Sequence, residues 1–138
     1  MRARGYRCQV SEPLVLNTTE VERETWSDDR GDLGFRTVFG GLDIPGDFTA
    51  GVSDLEVGGW LAHHRHEPPE LYFVLDGEGI LTIDGEDHEV RSGTAAHIPG
   101  NSEHGIRNTG TSTLRFFYVF AVASFDQVEY RFTSRSGS

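Results

Sequence analysis

Residues 58–77 read GGWLAHHRHEPPELYFVLDG, and this stretch decides the fold. In a β-strand, side chains two apart share a face. His64 and His66 therefore point the same way, and by the same parity so do Trp60 and Ala62. Pro68-Pro69 ends that strand, because proline cannot donate to a ladder. Glu70 opens the next strand, with Glu70, Tyr72 and Val74 on one face and Leu71, Phe73 and Leu75 on the other. Two imidazoles and a carboxylate can thus converge inside a curled sheet, and His104 supplies a fourth ligand from a later strand. Neutral imidazole and carboxylate suit divalent Fe, Mn, Co, Ni, Cu or Zn. Without cysteine in the set, a closed structural zinc site is disfavoured. His63 has the wrong parity to join, His88 falls in a charged hairpin, and His97 is left between cavity wall and surface.

Working outward, short apolar runs recur between Gly, Asp and Pro from Asp47 onward. This is the text of an all-β sandwich or barrel. Strands are expected near Phe48–Val57, Trp60–His66, Glu70–Leu75, Gly79–Ile83, His88–Arg91, Ala95–Ile98, Glu103–Asn108, Leu114–Val122 and Val128–Phe132. Asp84-Gly85 is a hairpin signal, because a type I′ turn needs positive φ at both central residues. The earlier chain is more polar: Thr18–Trp26 is an ambiguous short element, Ser27–Gly34 reads as a loop and Phe35–Phe39 as a strand. The expected layout is an N-terminal extension over 1–46 with one or two strands, a barrel over 47–132 and a disordered tail over 133–138.

Composition sets the outer bounds. A chain of 138 residues is one domain. Twenty-two acids against 12 bases, all arginine, give a net charge of −10. Nucleic acid and anionic membranes call for a basic face, so neither is the expected partner. Eight of the acids fall between Glu67 and Glu89 with no arginine among them, mostly in hairpin turns. Cys8 is the only cysteine and permits no intrachain disulfide. Residues 1–10 carry Arg2, Arg4 and Arg7 but no apolar segment, so no signal peptide is expected and the chain is read as cytoplasmic.

The spacings resemble the two motifs of the cupin superfamily. Gly58, His64, His66, Glu70 and Gly77 match the first at every position, and Gly93, Pro99, His104 and Asn108 match the second. The one departure is Asn101 where the motif has glycine, and asparagine is the side chain that best tolerates the left-handed backbone there. The resemblance implies a double-stranded β-helix, or jelly-roll barrel. It implies one divalent transition metal per chain (Fe, Mn, Ni, Co or Zn) on His64, His66, Glu70 and His104. A homodimer is also implied, with Leu71, Phe73 and Leu75 as a suitable contact row.

The reaction is read from what surrounds the quartet. Tyr72 shares the face of Glu70, where a phenol beside a cationic centre can act as general base. Trp60, Tyr118 and Phe120 are candidates to line a box for a cationic substrate group, since cation–π contacts contribute ~0.5–2 kcal/mol each. A small molecule with a carboxylate at one end and an onium group at the other fits. The pattern of His64, His66, Glu70, Tyr72 and His104 resembles that of cupin-type dimethylsulfoniopropionate lyases, which eliminate dimethyl sulfide from a sulfonium to leave acrylate. That resemblance makes Tyr72 the base, with Tyr130 assisting. The alternatives are an Fe(II)-dependent dioxygenase of a small organic substrate, a sugar or sugar-acid isomerase, and a non-enzymatic small-molecule-binding cupin.

Overall fold

The computed structural model describes residues 13–41, 47–122 and 125–133. Cys8, the three N-terminal arginines and positions 134–138 of the expected tail lie outside the described residues. Eleven strands form one curled, wholly antiparallel sheet: β1 (Glu24–Asp28), β2 (Gly31–Phe39), β3 (Thr49–Leu55), β4 (Trp60–Arg65), β5 (Glu70–Asp76), β6 (Glu78–Ile83), β7 (Glu86–Arg91), β8 (Ala95–Ile98), β9 (His104–Asn108), β10 (Leu114–Phe120) and β11 (Arg131–Phe132). Their order is β7-β6-β9-β4-β2-β3-β10-β5-β8, with β1 paired to β2 and β11 to β4. Two 3-10 turns, Thr18–Glu20 and Phe125–Gln127, complete the described elements. No helix among the described residues is long and apolar enough to cross a membrane.

Alternation builds the core. On β5, Glu70, Tyr72 and Val74 are buried while Leu71, Phe73 and Leu75 stay exposed. On β10, Leu114, Phe116, Tyr118 and Phe120 point inward, and cross-strand pairing sets Phe116 against Val74 and Tyr118 against Tyr72. Leu55, Leu114, Phe116 and Phe120 are essentially sealed from solvent. Burying each such side chain contributes about 1.5–3 kcal/mol. The motif glycines Gly58, Gly77 and Gly93 all have φ between 85° and 93°. Gly77 is further constrained, because a Cβ there would lie 2.4 Å from the Thr113 carbonyl oxygen. Asn101 has φ 64°, the left-handed conformation expected of it, and Asp84-Gly85, at φ 49° and 86°, makes the expected turn.

Three expectations change. Residues 27–34 are a hairpin rather than a loop: β1 and β2 pair from Glu24↔Phe35 to Asp28↔Gly31, leaving Asp29-Arg30 as the turn. The Asp28 carboxylate accepts the Arg30 backbone N–H at 2.7 Å and shapes that turn. Gly34, which reads as loop punctuation, lies in the strand, paired with Thr25 on β1 and Asp54 on β3, and the Arg23 guanidinium packs where its Cβ would stand. The second change is in β4. Its register against β9 runs Leu61↔Ile106 and then His64↔His104, so β4 holds one extra residue. This β-bulge reverses parity. Leu61 and His64 are buried, and Trp60 does not share the face of His64. Third, the last expected strand shrinks to Arg131–Phe132, preceded by the 3-10 turn.

Candidate metal centre

His64 and His66 come from the end of β4 and the residue after it, Glu70 from the start of β5, and His104 from the start of β9. All four are at least 95% buried. Three carbonyls orient the imidazoles. His64 Nδ1–H donates to Ala62 O at 2.8 Å, His66 Nδ1–H to Pro68 O at 2.8 Å, and His104 Nδ1–H to Ser102 O at 2.9 Å. With each Nδ1 committed as donor, each neutral ring turns an Nε2 lone pair inward.

The coordinating atoms of the three histidines lie within 4.8 Å of one another. Glu70 Oε1 sits 3.1 Å from His66 Nε2 and 3.3 Å from His104 Nε2. The Nε2 atoms of His64 and His104 are buried without a hydrogen-bond partner. Orphaned buried acceptors are costly, and here they converge with a carboxylate on one point. A cation among them satisfies all four at once. The donor set therefore fits a divalent transition ion.

Beside this cluster is a cavity of about 350 Å³. Among the described residues, Glu70 is the only charged one on its lining. Aromatic rings form most of the wall: Tyr72, Phe116 and Tyr118 from β5 and β10, Trp26 and Phe35 from the N-terminal hairpin, and Phe125 and Tyr130 from the C-terminal segment. Tyr130 stacks on His64 with centroids 4.7 Å apart, and Phe120 meets the His66 ring at 5.0 Å.

The Cupin domain family model matches residues 51–120. The chain is a cupin.

Over 105 residues this cupin is 48% identical to the dimethylsulfoniopropionate lyase DddW of Ruegeria pomeroyi, covering 75% of this chain and 68% of that protein. It is 28% identical over 96 residues to quercetin 2,3-dioxygenase of Bacillus subtilis, covering 69% of this chain and 27% of the relative. The solved structure of the polyketide cyclase RemF from Streptomyces resistomycificus superposes with a TM-score of 0.74 at 23% identity, covering 90% of this chain and 89% of that one.

Burial, and then the neighbouring His104, lower the His64 pKa to about 3, so this imidazole is neutral and free to ligate at ordinary pH. The Tyr72 phenol is pushed well above its ordinary value, first by burial and then by Glu70. Tyr130 and Tyr118 are shifted the same way, chiefly by burial, with the Tyr118 hydroxyl also hydrogen-bonded to Thr37 Oγ1 at 3.1 Å. The protein alone thus does not lower the Tyr72 pKa, and only a nearby cation could supply the lowering expected above.

Of the expected wall residues, Tyr72, Tyr118 and Tyr130 line the cavity. Phe120 packs behind it against His66, and Trp60 faces a separate outer groove because of the bulge. His63 is exposed in that same groove, and His97 is exposed on β8, so neither joins the centre. Trp26, Phe35 and Phe125 are the wall residues that sequence reasoning misses. Trp26 reaches the cavity because β1 pairs with β2, a long-range arrangement with no local signal beyond the aromatic residue itself.

Proposed function

We propose that this cupin is a metal-dependent lyase that eliminates dimethyl sulfide from dimethylsulfoniopropionate, leaving acrylate. The observation that carries the reading is the cavity. Its one charged lining residue belongs to the metal centre, and the wall around it is aromatic, which suits a substrate with a carboxylate at one end and a sulfonium at the other. The 48% identity to a lyase of this specificity supports the same substrate.

His64, His66, Glu70 and His104 would hold a divalent Fe, Mn, Co, Ni or Zn ion. Such an ion supplies Lewis-acid charge for the substrate carboxylate and for the charge that builds beside it in the transition state. Tyr72, its own proton first released to solvent to give the phenolate, takes the α-proton onto its phenolate oxygen. The electron pair of that C–H bond becomes the new Cα–Cβ π bond, the Cβ–S bond breaks, and sulfur leaves with its electron pair as neutral dimethyl sulfide. Tyr72 then returns the proton to solvent. A bound cation would offset the burial and the Glu70 charge that keep this phenol protonated, and bring its pKa toward the working pH that general-base catalysis favours. Trp26, Tyr118 and Phe125 hold the sulfonium and exclude water. Tyr130 fixes the His64 ring from above. Leu71, Phe73 and Leu75, exposed together on the outer face of β5, are read as the contact row for a second copy.

The test is incubation of metal-loaded protein with the sulfonium and headspace measurement of dimethyl sulfide. Release is expected. No release with any of Fe, Mn, Co, Ni or Zn would overturn the reading. A dioxygenase, as among the relatives, would instead consume oxygen in step with substrate.

A further inference from the structure

On the outer face of the sheet lies a second cavity, about 580 Å³, lined in part by Arg30, Trp60, Thr82, Arg107 and Phe132. It is separate from the metal-side cavity, with Leu61 as the only lining residue common to both among the described residues. Cross-strand pairing sets Arg107 between Trp60 on β4 and Ile80 on β6, so its guanidinium emerges from an apolar row. Arg30 reaches in from the β1–β2 turn, its guanidinium 5.0 Å from the Phe132 ring centroid. Gly105 forms part of the lining, and the His63 ring packs where a Cβ at that position would stand.

The charge arrangement is informative because acids outnumber bases 22 to 12 in this chain. Arg23 and Arg131 are ion-paired, to Asp54 and Glu129. Arg30 and Arg107 have no carboxylate within ion-pair distance among the described residues, yet they come together in one groove. Asp29, also on the lining, is its only acid among the described residues. Two guanidiniums against one lining carboxylate leave room for a single negative charge, and Asp29, with Asp28 beside Arg30, opposes a second. The indole of Trp60 and the Phe132 ring offer flat apolar surface beside that charge.

We infer that this outer groove binds a small monocarboxylate carried on a flat apolar body, with Arg107 and Arg30 holding the carboxylate and Trp60 the body. Guanidinium–carboxylate pairing is the strong directional contact, and apolar burial against the indole adds the preference over bare anions. The inference stands on the groove alone and is independent of the lyase reading.

Benzoate is the probe. The chain has two tryptophans, Trp26 in the metal-side cavity and Trp60 in the groove, so their indole N–H signals report the two sites separately. In 15N-labelled protein, with the signals assigned by Trp26→Phe and Trp60→Phe, benzoate is expected to shift the Trp60 signal saturably. Arg107→Gln, an exposed change, should weaken that response by about tenfold, the loss of one charge-assisted contact, while dimethyl sulfide release stays at the wild-type rate. His104→Ala should leave the Trp60 response intact. A shift at Trp26 alone, no shift at either indole, or a Trp60 shift indifferent to Arg107→Gln would overturn the site. An equal response to sulfate would overturn the assigned ligand class.

Discussion

Tyr130 lies over His64 with the two rings stacked 4.7 Å apart and 16° from parallel. The phenol comes from the residue before β11, and β11 pairs Phe132 directly with His64. The C-terminal segment therefore positions one imidazole of the buried histidine cluster from two directions, through the ladder and through the ring. Tyr130→Phe keeps the ring and should retain full metal content. Tyr130→Ala should loosen the metal, since aromatic pairing contributes ~0.5–1.5 kcal/mol. Metal content of the two variants after dialysis checks the contrast.

Tyr72 shares the buried face of β5 with Glu70 and projects into the same cavity. Tyr72→Phe removes the proton acceptor and leaves the packing against Phe116. Turnover should fall by about 10²–10⁴-fold, the usual contribution of a general base, with metal content unchanged. Activity within a few-fold of wild type would remove Tyr72 from the base role.

The two tryptophans separate the cavity from the groove. Trp26→Leu should raise KM for the sulfonium by roughly threefold to thirtyfold, the range of a cation–π contact. Trp60→Leu should leave KM unchanged. Steady-state kinetics on the two variants, side by side, decide which indole faces the substrate.

Asn108 has a structural task that its motif position does not reveal. Its amide donates to Leu55 O at 2.9 Å and Ser112 O at 2.8 Å, and its carbonyl accepts Gly110 N–H at 2.8 Å. It ties β9 to β3 and closes the turn into β10. At roughly 1 kcal/mol per bond, Asn108→Ala should cost about 3 kcal/mol in urea unfolding.

The metal-free protein should lose stability in acid at His64. Its folded pKa of about 3 lies below the unfolded value near 6.5, so between them the unfolded chain binds a proton that the folded chain does not. Stability from this group is fully present above pH 6.5 and declines as pH falls toward 3, by up to about 1.4 kcal/mol per pH unit. His64→Gln should flatten that slope in unfolding curves taken across the window.

What could be read in the sequence was local. The β5 parity and the grouping of His64, His66 and Glu70 follow from spacing along two neighbouring strands, and Asn101 and His104 follow from the second motif. The inward face of β10 follows from the same alternation. What could not be read depended on neighbours far away in the chain. The extra residue in β4 is visible only against β9, and it sends Trp60 to the wrong side for the cavity. The Asp- and Gly-rich residues 27–34 look like a loop until β1 and β2 are paired, and that hairpin carries Trp26 and Phe35 into the wall.

The central claim is that one metal ion on these four side chains drives an elimination needing no oxygen. The most direct measurement is dimethyl sulfide and acrylate formed per bound metal ion, under argon and in air. The account predicts equal amounts of the two products, equal rates in both atmospheres, one metal ion per active chain, and no turnover after chelation or in His104→Ala. Undiminished turnover by the metal-free protein, or oxygen consumed in proportion to substrate, would contradict it.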